Sequence, residues 1–398
     1  MQPSGIVRDP VYLLHEMSRY HPENPRRLEV IYAMIDDEGP NLNLQVIPPR
    51  RASKKEIATN HSAQYVDAIE ATASRSHTYL DPDTSTCADS WDAASMAVGG
   101  LLNLVDAVVA GEVRNGFGLV RPPGHHAEWN KAMGFCLFNN VAIAARHALA
   151  RHGLERVAIV DWDLHHGNGT QHSFYEDRRV LFISTHQFPH YPGTGAVEEV
   201  GKGDGRGFTV NVPLSAGAGD AEYVAIFHSL VAPLLTSFAP QLILVSAGFD
   251  SHRNDPLGGM NLTESGYEQM VRILMHLAAE SCAGRLVLTL EGGYDLDALE
   301  QSVRSVLAAL SSYDPARGQM PERPPMSGLS PRTARTLEHV IATHRQFWPD
   351  LPSVLRRFDN WIPADAILAV IPAEEVPRNV GHSRGTRYIQ TQTRHLSG

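Results

Sequence analysis

The chain has 398 residues, with 34 Lys+Arg against 44 Asp+Glu and a net charge of -10, a balance that disfavours nucleic acid held on a broad basic face. At 43% hydrophobic and 20% charged residues it has the composition of a globular protein and not of a disordered one. Cys87, Cys136 and Cys282 form neither a C-x-x-C pair nor a disulfide rhythm, so a reducing, cytoplasmic setting is expected. The N-terminus meets Arg8 and Asp9 before any apolar stretch and so lacks a signal-peptide core. The most apolar segment, Met96 to Ala110, is interrupted by Asn103 and Asp106, and no run is expected to reach the ~18 residues of a membrane span.

In chain order, a helical pattern over Ala93–Val109 leads into an apolar strand, Phe117–Val120, closed by Arg121-Pro122-Pro123-Gly124-His125-His126. The prolines and glycine stiffen and turn the chain before two adjacent imidazoles, of which one can act as base and then acid while the other holds charge. A helix over Asn140–His152 precedes the strand Val157–Val160, which runs into Asp161-Trp162-Asp163-Leu164-His165-His166-Gly167-Asn168-Gly169. In an extended chain side chains two apart share a face, so Asp161, Asp163 and His165 are expected together, a carboxylate and imidazole set suited to a transition metal such as zinc. The strand Val180–Ser184 comes next, then a helix over Ala221–Phe238 and the strand Leu242–Ser246, which delivers Asp250 past its end. Alone, Asp250 reads as a turn or helix cap; beside the others it completes a three-ligand site. After a helix over Glu264–Ala279, the strand Leu286–Leu290 closes in Glu291-Gly292-Gly293-Tyr294, whose phenol can donate to a developing oxyanion. A helix over Leu296–Leu310 ends the domain pattern.

Apolar strands alternating with amphipathic helices predict an α/β fold on a parallel sheet. Residues 1–350 are expected to form the catalytic domain, with a Pro-rich linker over 311–332 and a packing helix over 333–349, patterned from Thr333 to Phe347; residues 351–398 form a C-terminal tail of unread function, polar and without periodicity beyond about Asn379. Polar chemistry at four strand ends on one sheet edge describes metal-assisted attack of water on a carbonyl. No phosphate-cradling Gly-x-x-x-x-Gly-Lys loop is present, and the Gly-x-Ser-x-Gly string Gly381 to Gly385 lies in the C-terminal tail, outside the pattern of apolar strands and helices that a nucleophile elbow needs.

RPPGHHAEWNKAMGFCLFNN, VDWDLHHGNGTQ, STHQFPHYPGTG, VNVPL, SAGFDSHRNDPLGG and LEGGY together resemble the zinc-dependent histone deacetylase family, in its class II-like branch and in the manner of its short bacterial amidohydrolase members. The resemblance runs from HPENPRRLEV to the helix after Tyr294. It implies an arginase-like three-layer fold with a central eight-stranded parallel sheet, and hydrolysis of an acetamide on a lysine-like side chain. By this resemblance Asp163, His165 and Asp250 match the zinc ligands, His126 the general base and acid, His125 its electrostatic partner, Asp161 the carboxylate behind it, and Tyr294 the carbonyl-polarising phenol. Asn168 stands where class I members carry Asp. Potassium is implied at backbone carbonyls of Asp161, Asp163, His165 and Ser184, with a second site at Phe174, Asp177 and Val180. Gly134 and Phe135 match one wall of the acyl-lysine tunnel and Tyr191 the other, where Phe is common. Arg27 matches an arginine facing an internal channel, and equally suits a structural ion pair.

Leu257 replaces the acidic residue of polyamine-preferring relatives, so the expected substrate is N-acetyl-lysine on a protein or peptide, with acetylpolyamine hydrolysis or a non-catalytic acyl-lysine binding module as alternatives. A binuclear amidino-hydrolase on the same fold would need further metal ligands. Nucleic acid and membrane partners are not expected, and the native metal, zinc or ferrous iron, and homo-oligomerisation are left open. His186 and His190 read as hydrogen-bonded loop residues, Cys136 as a buried small hydrophobe, while Glu128, Trp129 and Lys131 are undecided between substrate and water.

Overall fold

Five-residue apolar runs such as VAIVD and LVLTL are buried along their whole length, which is what strands covered by helices on both faces require. The computed structural model describes residues 2–38, 41–314 and 318–351; all but the first residue of the tail expected over 351–398, and part of the Pro-rich linker, lie outside the described residues. The elements are, in order, β1 Ser4–Val7, α1 Arg26–Glu38, β2 Leu44–Val46, α2 Lys54–Ile57, α3 Ala63–Ala71, β3 Thr78–Tyr79, β4 Ser85–Thr86, α4 Ser90–Ala110, β5 Gly116–Gly118, α5 Asn140–Arg151 and β6 Val157–Asp161. They continue with α6 Asn168–Phe174, β7 Val180–Gln187, β8 Thr209–Leu214, α7 Asp220–Ile226, α8 Ala232–Phe238, β9 Leu242–Ala247, α9 Glu264–Cys282, β10 Leu286–Leu290, α10 Leu296–Ser312 and α11 Pro331–His344.

The central sheet has eight strands in the order β2-β1-β5-β10-β9-β6-β7-β8, and every neighbouring pair runs parallel. All carboxyl ends therefore face one edge, where open α/β sheets place their ligands. In register, Asp161 of β6 lies beside Ser184 of β7 and Ser246 of β9.

Local signals fix the helix limits. Asn139 caps α5 by accepting from Ala142 N, Asp295 caps α10 by accepting from Ala298 N, and Ser330 caps α11 ahead of Pro331. The expected helix over Thr333–Phe347 thus begins two residues earlier and ends at His344. The segment expected as one helix over Ala221–Phe238 is α7 and α8 joined by a π-helical stretch, Phe227–Val231. Two further expectations are corrected. Ser90–Ala110 and Asp220–Phe238 are each long and apolar enough to cross a membrane, the first because isolated Asn103 and Asp106 do not lower its average enough; both are mostly buried in this fold, as core helices are. His186 is no loop residue but a fully buried member of β7, since that strand runs on past Ser184.

Candidate functional site

Past β5 the chain turns through Arg121 to His126. Arg121 is fully buried, donating from Nη2 to Glu23 Oε2 at 2.7 Å and from Nη1 to the Tyr12 carbonyl at 2.8 Å. Glu23 also receives Arg27 Nη1 at 3.1 Å. Burial raises the pKa of this carboxyl, but the two guanidinium groups, Arg121 foremost, outweigh it and hold it down at about 2.

His125 Nδ1 lies 3.0 Å from Asp161 Oδ2, and its ring centroid is 4.0 Å from that of His126. His126 Nδ1 lies 2.7 Å from Asn168 Oδ1. The two adjacent imidazoles are driven apart electrostatically. Burial lowers the pKa of both, yet for His125 the carboxylates of Asp161 and Asp163 more than reverse it and hold the ring charged. For His126 burial is reinforced by positive His125 and His165, which hold it neutral.

Asp163, His165 and Asp250 offer ligand atoms that all lie within 4.8 Å of one another, at buried positions. His165 Nδ1 is 3.2 Å from Asp163 Oδ1 and 3.0 Å from Asp250 Oδ2. Two buried carboxylates around one imidazole are costly without a cation, and an N/O set of three beside an open cavity fits a divalent transition ion. The route to this convergence differs from the expected one: β6 ends at Asp161, so the shared face does not come from extended alternation. Instead the chain coils, with Asp163 N donating to Asp161 Oδ1 at 3.1 Å and His165 N to Asp163 Oδ1 at 2.8 Å.

Close backbone approach is built into the site. A Cβ on Gly292 would lie 2.2 Å from Asp250 Oδ2, and Gly292 N donates to Asp163 Oδ2 at 2.9 Å. Gly134 has φ +56 and a Cβ there would meet His126 Cδ2 at 2.3 Å, so both conformation and space demand glycine.

These groups open on a cavity of about 260 Å³ lined by His125, His126, Gly134, Phe135, Tyr191 and Leu257 among others. Phe135 and Tyr294 meet edge to face at 5.8 Å, and Tyr191 lies 5.1 Å from the His126 ring. Burial raises the Tyr294 phenol well above its ordinary pKa, so it is a proton donor. The Arg27 guanidinium sits 4.9 Å from that ring centroid, while donating from Nε to the Gly293 carbonyl at 2.6 Å and from Nη2 to the Glu291 carbonyl at 2.5 Å.

Several participants escaped the reading of the motifs. Glu291 Oε2 accepts from Gly124 N at 2.6 Å and His125 N at 3.1 Å, and Oε1 from Ser246 at 3.0 Å; it stood in the quoted EGGY, but only the glycines and Tyr were weighed. Asp255 accepts from Leu257 N at 2.9 Å and Tyr294 N at 2.6 Å. His190 lines the cavity, stacked at 5.2 Å on His165, with Nε2 3.1 Å from the Leu257 carbonyl. Asp83 also lies on the cavity wall. Glu128 is bonded to Asn168 and His172, and Trp129 is 63% exposed. Cys136 is buried, its thiol pushed up by burial. Around the expected second potassium position, Asp177 N donates to the Phe174 carbonyl at 3.0 Å and Val180 N to the Asp177 carbonyl at 3.2 Å.

A model of the histone deacetylase domain matches residues 21–310. A probable deacetylase of Archaeoglobus fulgidus is 40% identical over 356 residues, 87% of this chain and 98% of that protein. Histone deacetylase 15 of Arabidopsis thaliana is 41% identical over 83% of this chain and 59% of its own length, and human histone deacetylase 7 is 36% identical over 90% and 41%. The chain thus spans nearly all of the archaeal protein and about half of the plant and human ones. The crystal structure of the HDA15 HD domain superposes with a TM-score of 0.81 at 39% identity, covering 88% of this chain and 96% of that one.

Proposed function

The chain belongs to the histone deacetylase family, in its class II-like branch, and from that membership we propose that it removes acetyl groups from N-acetyl-lysine side chains of proteins or peptides, as a zinc-dependent hydrolase. The observation that carries the reading is the meeting, on one cavity, of a charged and a neutral imidazole, a protonated phenol and a three-ligand metal set. Asp163, His165 and Asp250 would hold the zinc ion, which supplies Lewis acidity to the acetamide carbonyl and to water.

The remaining steps fall to the chain's own groups. Nδ1 of His126 is engaged by Asn168 Oδ1, which leaves Nε2 to take a proton from the attacking water and to return it to the departing amine. His125, held charged by Asp161, offsets negative charge that builds as the water attacks. The Tyr294 hydroxyl donates to the carbonyl oxygen as it becomes an oxyanion. Gly134, Phe135, Tyr191 and Leu257 line the path of the acyl-lysine chain. Structural potassium near Asp161, Asp163, His165 and Ser184, and a cytoplasmic location, belong to the same proposal.

Leu257 favours lysine over polyamine, because an apolar residue at the mouth does not attract a free ammonium. Asp83 is the observation on the other side, since its carboxyl on the cavity wall gives acetylpolyamine hydrolysis a second hearing.

The test is steady-state turnover of zinc-loaded protein on an acetyl-lysine peptide and on acetylputrescine. Faster peptide turnover is expected, falling to background in metal-stripped protein and about 10²–10³-fold in Tyr294→Phe, the usual cost of one oxyanion donor. Faster acetylputrescine turnover would overturn the substrate assignment, and activity unaffected by metal removal would overturn the mechanism.

A further inference from the structure

Asp106 projects from α4 toward two histidines of the neighbouring helix, His147 within α5 and His152 at its C-terminal cap. Nε2 of each imidazole lies 2.6 Å from the same carboxylate oxygen, Oδ1. Their ring centroids are 5.5 Å apart with planes crossing at 77°, so two imidazole edges and one oxygen converge on a single point. The three ligand atoms all lie within 4.8 Å of one another, as they do in the triad of Asp163, His165 and Asp250. None of the three residues lines the tunnel cavity.

Two hydrogen bonds from imidazole N–H groups to one carboxylate would satisfy this cluster as it stands. Three features go beyond that. Both rings address one oxygen instead of dividing the pair, and the separations lie at the short limit for N–H···O contacts. The donor set, two imidazole nitrogens and one carboxylate oxygen, is one that zinc and similar divalent ions accept, leaving a fourth position for water. The side chains of His147, His152 and Asp106 are 12%, 21% and 41% exposed, which gives an ion a path in and leaves the ligand atoms room to spread from 2.6 Å to the roughly 3.3 Å that separates ligands around a tetrahedral ion. The Arg50 guanidinium, which feels the Asp106 charge from a distance, spends its hydrogen bonds on Glu56 at 2.5 and 2.9 Å and on Asn103 at 3.0 Å.

We propose that Asp106, His147 and His152 form a second divalent-metal site, for zinc or an ion of like preference, that clasps α4 to α5. The cluster stands apart from the tunnel triad and does not rest on the deacetylase reading.

Tag-free full-length protein, stripped of metal and dialysed against micromolar Co(II) or Zn(II) at neutral pH, would be compared with H147Q/H152N. That variant keeps side-chain N–H donors for Asp106 while discarding imidazole ligands, so the helix contact is retained. Wild type is expected to hold one more equivalent of metal per chain than the variant, and to show a metal-dependent rise in Tm that the variant lacks. Peptide turnover should be alike in both. Equal metal content in wild type and folded variant, whatever its value, would overturn the proposal and leave the cluster as a hydrogen-bonded clasp; the tunnel site is tested separately by turnover.

Discussion

Asp255 ties two parts of the tunnel with one carboxyl group, accepting from Leu257 N at the mouth and from Tyr294 N and Asp295 N at the floor. Burial and the charge of Asp250 push its pKa up to about 7. Removing it leaves three amides without their acceptor, each worth ~1–3 kcal/mol, and frees the Tyr294 loop. Asp255→Ala is therefore expected to lower kcat roughly 10- to 100-fold through misplacement of the phenol, with KM and bound zinc near wild type; unchanged kcat would show that the glycines hold Tyr294 unaided. At this scale sequence reading went furthest with side chains whose chemistry is conspicuous in a motif, the tandem His125-His126, Asp163, His165 and Tyr294. It missed Asp255 and Glu291 because their work is to accept backbone amides from distant loops, a role that has no spacing in the chain.

Element by element, legibility followed burial and length. The buried runs of β6, β9 and β10 were expected nearly to their ends and β7 only as far as Ser184, three residues short of Gln187, whereas β1, β2 and β8 were not picked out. β2 is three residues long and largely exposed, which leaves almost no apolar pattern to read. In β8 the run Thr209–Leu214 carries Asn211 and Pro213, tolerated because it is the outermost strand, where a missing N–H breaks no ladder. Helix ends also carry a testable strain. α8 and α9 stop at Ala239, φ +49, and Ala283, φ +54, in the left-handed region that costs a side-chain-bearing residue about 1–2 kcal/mol. Both alanines are exposed. Ala239→Gly and Ala283→Gly should each stabilise the fold by about 0.5–1 kcal/mol after glycine's greater chain entropy is subtracted. A higher urea midpoint checks this, and a lower one would show that the alanine methyl matters.

Taken whole, the molecule buries several histidines that do not line the tunnel, and its stability inherits their titration. His15, His61 and His344 are each held at a pKa of about 4, against an ordinary 6.5, by burial above all. The unfolded chain binds more protons than the folded one between those values, so stability is full above pH 6.5 and falls as pH drops toward 4. Each group is expected to cost about 2 kcal/mol between pH 6.5 and pH 5. Glu23, held at about 2 by Arg121 and Arg27 against the effect of burial, extends the loss from about pH 4.5 downward. Urea unfolding at pH 7 and pH 5 checks this, and equal midpoints would refute it. The α/β class and the parallel sheet were legible at this scale because alternation of strand and helix is a chain-long pattern; of the buried network of Glu23, Arg27 and Arg121 only the ion-pair alternative for Arg27, four residues from Glu23, was legible, since Arg121 joins it from a distant part of the chain. The one-way run of the strands has a practical corollary. Glu155, with an 81% exposed side chain just before β6, stands at the rear of the sheet, up to about 20 Å of extended chain from Asp161. A single tether there, through Glu155→Cys, would anchor the enzyme to a resin or sensor with its entrance pointing outward, and turnover on the support should match that in solution.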